Sequence, residues 1–257
     1  DGVWSGIRLH NGKLLFLKDH LQRLYDDAKA ISLKIHVNKK ELTKYLIQTV
    51  KKNKMLSDVH IRLIISRGIK STPYQDPSFT ISKPTIVIIP EYKKPDEKLY
   101  KKGLILKTVK TIRGPKNVQD PVLNTLSKLN CILACIEAKK NNADEALMHD
   151  INGNIATNNS THFFFIKDNK VYTSTGNYCV KGITRKNVID ICKSNKIRIY
   201  QKNFKLKDVM KADEAFVTGT FANIIPVKKI NNKKFSIKKS NLTFVIRNLY
   251  LEKINNY

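Results

Sequence analysis

Residues 3–17 leave this chain little conformational choice. VWSGIRLH, the pair Asn11-Gly12, Lys13 and then LLFL form two apolar runs joined by a dipeptide that tolerates φ > 0, the strongest short-range signal for a β-hairpin. Asp19 then opens a helical pattern with an acidic cap and with Leu21, Leu24, Ala28 and Ile31 on one face. A second helix is predicted over 39–53, after Asn38, using Leu42, Tyr45, Leu46 and Val50. HIRLIISRG (60–68) and PTIVIIPEY (84–92) read as Ile- and Val-rich strands around a Pro-containing loop. The order strand, strand, helix, helix, strand, strand predicts a small α+β domain over residues 1–92.

Residues 93–125 read as interdomain linker and loop, punctuated by Pro95, Gly114-Pro115 and Pro121 around the strand-like LILKTVK. A larger domain is expected over 126–257. Its pattern runs from a helix at 126–139 through the strand ADEALMHD, the turn INGN and a hairpin, HFFFIKDNKVYTS, turning at Asp168-Asn169. GITRKNVIDICKSN is a helix started by Gly182 and Thr184; IRIYQKNF, EAFVTGT and IIPVKKI are strands; LKDVMKAD and TFVIRNLYLEKI are helical. The fold class expected is α/β (α+β), with a small N-terminal domain and a larger mixed α/β domain.

Composition narrows the partners. Lys and Arg number 48 against 21 Asp and Glu, a net charge of +27, yet 41% of residues are hydrophobic, enough to bury a core and to exclude a disordered polycation. The lysines are spread along the whole chain among Asn and Ile rather than interleaved with aromatics, so they read as a solvated surface and not as a nucleic-acid interface. No run reaches the ~18 apolar residues of a spanning helix, which excludes an integral helical membrane protein. The four cysteines contain no CxxC pair, and Cys131 and Cys135 lie four apart in an apolar helix; buried free thiols in a reducing, cytoplasmic compartment are expected. No His/Cys spacing suits a metal, and no GxSxG suggests a hydrolase.

Two segments offer backbone N–H groups to an anion. Val180-Lys181-Gly182-Ile183-Thr184 sits at a helix start, where first-turn amides and the helix dipole favour phosphate. Thr218-Gly219-Thr220 combines a glycine with two hydroxyls. Either is also an ordinary cap or turn. With Arg23 on the first helix they are expected to form an anion site drawn from both domains.

DGVWSGIRLHNGKLLFLKDHLQRL, NTLSKLNCILACIEAKKNNADEALMHDINGNIA, GITRKNVIDIC and ADEAFVTGTFANIIPV occur in an order and spacing that resembles the class IV (fold type IV) pyridoxal-phosphate aminotransferases. That family includes branched-chain and D-amino-acid aminotransferases and aminodeoxychorismate lyase. The resemblance implies the fold type IV two-domain architecture, pyridoxal 5′-phosphate as cofactor, an amino acid and a 2-keto acid as substrates, a homodimer, and a family N-terminal stretch ahead of Asp1. It implies that Arg23, Gly182, Ile183, Thr184, Gly219 and Thr220 hold the cofactor phosphate and that Val180 packs on its ring. Trp4, Gly6, Arg8 and Phe221 would line the substrate pocket. Lys70 or Tyr74, in the loop RGIKSTPYQDP, would meet a substrate carboxylate or else sit in a solvated loop. His162 reads as a structural histidine.

Two positions depart from the family. Its Schiff-base lysine falls at Asn124, in Asn-Thr-Leu-Ser-Lys-Leu-Asn, and an amide is no nucleophile and no proton shuttle. Its acidic partner of the pyridine nitrogen falls at Thr157, which can hydrogen-bond a neutral nitrogen but cannot stabilise a pyridinium. Three readings stay open: a homologue that binds cofactor or metabolite with reduced catalysis, an active aminotransferase or lyase changed at position 124, or replacement of the lysine by Lys128, which also reads as a surface cation.

Overall fold

The computed structural model describes residues 1–94 and 96–257; Pro95, in the expected linker, lies outside the described residues. The chain divides into two compact units, one of Asp1–Lys94, Leu123–Ser127 and Tyr257, the other of residues 96–122 and Lys128–Asn256.

The first unit contains β1 (Gly2–His10), β2 (Lys13–Leu14), α1 (Leu17–Ala30), α2 (Lys39–Lys52), β3 (Val59–Ser66) and β4 (Thr85–Tyr92). Its antiparallel sheet has the order β2-β1-β3-β4. Alternation along the strands sorts the side chains. Val3, Ile7 and Leu9 of β1 and Val59, Ile61, Leu63 and Ile65 of β3 are buried with Leu21, Leu24 and Ala28 of α1 and Leu42, Leu46 and Val50 of α2. Trp4, Gly6 and Arg8 alternate with them and pair across the sheet with Ile64, Arg62 and His60.

α2 starts as its sequence predicts, with a capping box in which Asn38 Oδ1 accepts from Glu41 N (3.0 Å) and Glu41 Oε2 accepts from Asn38 N (2.8 Å). The start of α1 differs from expectation. β2 ends at Leu14, and Phe16, at φ +52°, turns the chain directly into a helix that begins at Leu17, with Asp19 in its first turn and not at its cap. Burial explains the difference: Leu15 and Phe16 are core residues, and Phe16 meets Tyr257 edge-on at 4.9 Å, so they turn inward instead of extending the strand.

The second unit contains α3 (Glu97–Lys102), β5 (Leu104–Thr108), α4 (Lys116–Gln119), α5 (Leu129–Lys140), β6 (Glu145–His149), β7 (Ile155–Asn158), β8 (His162–Lys167), β9 (Lys170–Thr173), α6 (Ile183–Ser194), β10 (Ile199–Gln201), α7 (Leu206–Val209), β11 (Glu214–Gly219), β12 (Asn223–Ile230), β13 (Lys233–Lys234) and α8 (Leu242–Asn255). Its mixed sheet runs β10-β9-β8-β11-β12-β5-β6-β7, with β13 added on β12. Phe163 and Phe165 of β8 point into a core with Phe204, Val217 and Leu147, while Phe164, on the opposite side, stacks on Phe216 at 4.9 Å.

Several elements differ from expectation. α3 and α4 occupy stretches read as linker and loop, each too short to display helical periodicity. α5 begins at Leu129 rather than Leu126, because residues 123–127 pair with β1 instead. β7 follows the INGN turn, where Asp150 Oδ1 accepts from Asn152 N (2.9 Å) and Asn154 N (2.8 Å) and closes a β6–β7 hairpin.

Candidate functional site

Asn124 lies in a short extended segment laid along β1. Trp4 N donates to Asn124 O (3.1 Å), Leu126 N to Gly2 O (2.9 Å), and Val3 bridges Thr125. The Asn124 side chain continues the attachment, its Nδ2 donating to Trp4 O at 2.8 Å, while its main-chain N donates to Asp27 Oδ2 at 3.2 Å. The residue is 5% exposed. Its amide is therefore spent on local backbone structure.

Arg23 projects from α1 in the same unit. Its Nη2 donates to Ser5 Oγ (3.1 Å), and Ser5 Oγ lies 3.0 Å from His20 Nδ1. His20 is held neutral, its pKa lowered to about 3 first by burial and then by the charges of Arg23 and His60. Arg23 donates to Ser5 Oγ, and a neutral imidazole satisfies the Ser5–His20 hydrogen bond from Nδ1 in either tautomer. Asp27 Oδ2 stands 4.0 Å from Arg23 Nε. Burial lowers the pKa of Arg23 and the Asp27 charge opposes that shift.

On the other side of the sheet, Trp4, Gly6 and Arg8 gather with two residues that reading along the sequence does not single out, His60 and Arg62. The Arg62 guanidinium lies 4.4 Å from the Trp4 ring centroid. A Cβ on Gly6 would come within 2.8 Å of His60 Cε1, so the glycine makes room for the histidine ring. Arg8 is 7% exposed and reaches Asp58 at 3.4 Å, while its Nε and Nη1 are buried without a hydrogen-bond partner. The His60 pKa is lowered by burial, then by Lys93, Arg62 and Arg8, with Glu91 opposing. This face gathers the Arg8 and Arg62 guanidiniums with the Trp4 ring and the His60 imidazole. The His-x-Arg spacing in a strand is the signal that could have found it, since period-2 alternation puts both side chains on one face. Lys70 is not brought there by any contact; its ammonium closes its own loop on Tyr74 O (2.7 Å) and Gln75 O (3.2 Å).

In the second unit, Thr161 and His162 link the residues expected around a phosphate. Thr157 Oγ1 donates to Thr161 O (2.9 Å), and the space above Gly219 is bounded by Thr161 Cγ2 and Ala222 Cβ, each 3.5 Å from where a Cβ on that glycine would stand. His162 Nε2 donates to Val180 O at 2.7 Å, and a Cβ on Gly182 would sit 2.3 Å from His162 Cε1. Gly182 is the N-cap of α6, with Ile183 and Thr184 buried in its first turn. His162 thus packs the loop that presents the α6 amides. Neighbouring Thr218 Oγ1 is buried without a partner, and Thr220 and Phe221 form the turn from β11 to β12. Lys128 is the N-cap residue of α5.

Two further residues shape this unit. Glu145 accepts from Ser160 Oγ (2.6 Å) and Thr161 Oγ1 (2.5 Å); burial raises its pKa and those hydroxyls oppose the rise. Arg113 donates to Tyr178 O (3.1 Å), Pro121 O (2.9 Å) and Cys131 Sγ (3.0 Å), bracing the chain ahead of Val180. All four cysteines are free; Cys179 and Cys192 are buried, whereas Cys131 and Cys135 are only partly buried, contrary to expectation, because α5 leaves its apolar stripe exposed, and burial pushes the Cys192 thiol up to about 12. Among the described residues, no cluster of His, Cys, Asp and Glu could hold a metal, and no helix is long and apolar enough to cross a membrane.

A family model described as amino-transferase class IV matches residues 2–230. The chain is 34% identical over 235 residues to branched-chain-amino-acid aminotransferase-like protein 2 of Arabidopsis thaliana, an alignment that covers 91% of this chain and 42% of that protein, so the chain spans less than half the length of that relative. It is 35% identical over 240 residues to a Methanocaldococcus jannaschii protein provisionally named branched-chain-amino-acid aminotransferase, covering 93% and 82%. The solved T.th. branched-chain amino acid aminotransferase with pyridoxamine 5′-phosphate is similar in fold, with a TM-score of 0.89 and 27% identity over 99% of this chain and 85% of that one.

Proposed function

The chain belongs to the class IV aminotransferase family, and from that membership we propose that it is a homologue that binds a pyridoxal-phosphate-type ligand without covalent attachment and does not perform lysine-dependent amino transfer. Two demands of the family's cofactor separate here. Groups that suit its phosphate occur in each unit taken by itself: Arg23 in the first; the Gly182–Thr184 amides, the Gly219–Thr220 turn and the unpartnered Thr218 hydroxyl in the second. Its carbonyl does not fit, because Asn124 offers an amide already donated to Trp4 O at 2.8 Å. That hydrogen bond is the observation that carries the reading.

Thr157 supports it. Its hydroxyl proton is given to Thr161 O, so what it presents to a ring nitrogen is lone pairs and no negative charge. On the substrate side, the Trp4, Arg8, His60 and Arg62 surface suits the carboxylate of an amino or keto acid. Self-association belongs to the same reading: Leu129, Ile132, Leu133 and Ile136 form an exposed i, i+3, i+4, i+7 stripe on α5, as a homodimer needs.

Absorbance and borohydride trapping test the proposal. Pyridoxal 5′-phosphate is expected to bind with no borohydride-fixed adduct mapping to residues 124–128; an adduct on Lys128 accompanied by turnover would replace this reading with that of an active aminotransferase.

A further inference from the structure

Asp27 is a carboxylate 2% exposed to solvent, and nothing in the function proposed above gives it a role. It lies one helical turn after Arg23 on α1, and its Oδ2 faces two positively polarised groups, Arg23 Nε at 4.0 Å and the N–H of Asn124 at 3.2 Å. The Arg23 side chain is nine-tenths removed from water, and a buried guanidinium requires a compensating anion. Asp27 supplies it: burial lowers the basicity of Arg23, and the Asp27 charge is what opposes that loss. An anion built into the chain reduces what Arg23 gains from one arriving in solution, and two anions at one cation repel strongly where the dielectric is low.

We propose that Asp27 is a resident anion that sets the affinity of Arg23 for a phosphorylated ligand, and that the same carboxylate braces the Asn124 peptide against α1. The inference rests on the reading of Arg23 as a phosphate-binding cation. It makes Asp27 a residue that tunes ligand affinity by acting through Arg23.

Asp27→Asn tests this, since it removes the charge while keeping the volume and an oxygen to accept from Asn124 N. The probe is pyridoxine 5′-phosphate, which lacks the aldehyde and cannot react with surface lysines, with inorganic phosphate in parallel. Calorimetric Kd values are expected to fall by about tenfold or more in D27N for both probes, and the gain to vanish in D27N/R23Q. Should D27N not fold, as judged by circular dichroism, Asp27→Ser replaces it with the same expectation. Native-like Kd values in D27N or D27S, together with weakened binding in R23Q, would overturn the role of Asp27 while leaving Arg23 as the phosphate cation. Native-like binding in R23Q, or no binding by the native protein and every variant, would overturn both.

Discussion

Asn124 Nδ2 donates to the main-chain carbonyl of Trp4 at 2.8 Å, and Trp4 N donates back to Asn124 O at 3.1 Å, so that the position expected to hold a Schiff-base lysine is instead a rung between a connecting segment and the first strand. Asn124 is thereby a structural residue.

Removing that rung has a stability cost. Asn124→Ala leaves the Trp4 carbonyl short of a donor in a buried setting, and a loss of about 1–3 kcal/mol is expected. Urea denaturation followed by tryptophan fluorescence reads it directly, because Trp4 is the only tryptophan in the chain; a midpoint unchanged from native would contradict the assignment.

Restoring chemistry should take more than one residue. Asn124→Lys alone is expected to yield a borohydride-fixed adduct with pyridoxal 5′-phosphate but slow amino transfer, because Thr157 carries no charge to hold a proton on the ring nitrogen. Adding Thr157→Glu is expected to raise the half-reaction rate on the order of 10²-fold. Equal rates in the single and double variants would place the deficit elsewhere.

His20 makes the first unit acid-sensitive. Its folded-state pKa lies near 3 against 6.5 for an ordinary imidazole, so below pH 6.5 the unfolded chain takes up a proton that the folded chain refuses. Stability contributed by the neutral ring is complete above pH 6.5 and is lost as pH falls towards 3. The loss between pH 7 and pH 5 should be about 2 kcal/mol from this group. A His20→Gln variant should show a flatter dependence of the urea midpoint on pH over that window, and a native-like slope would exclude His20 as its source.

Two glycines expected at the phosphate differ in what they tolerate. Gly182→Ala drives a methyl to 2.3 Å from His162 Cε1, displacing the ring and its 2.7 Å hydrogen bond to Val180 O. A cost of about 1–3 kcal/mol is expected, partly recovered in G182A/H162A. Gly219→Ala meets only ordinary contacts at 3.5 Å and should fall within about 0.5 kcal/mol of native. Thermal denaturation of the three variants separates the cases, and equal effects at 182 and 219 would refute the packing argument.

Much of the architecture is legible in residue order. The Asn11-Gly12 and Asp168-Asn169 turns, the Asn38 capping box and the Ile/Val strands carry their instructions locally, in dihedral tolerance, short-range hydrogen bonds and apolar period. β7, by contrast, escapes a reading by residue type because Ile155–Asn158 has weak strand character, and its pairing with β6 is what makes it a strand. Of the candidate site, Asn124 and Thr157 stand out through the family resemblance. His60, Arg62 and Asp27 do not, because their significance lies in what faces them across a sheet or between a helix and a distant segment.

The sequence by itself determined which chemical groups this protein has at each expected position: an amide for a lysine, a hydroxyl for a carboxylate, glycines and amides at a helix start. Those are properties of single residues and short motifs. Tertiary structure alone decided how each group is spent, because a hydrogen bond between residues 4 and 124 or an ion pair braced by residue 27 depends on distances that only the folded chain defines. Asn124 could have been an idle substitution; its bond to Trp4 makes it a part of the fold.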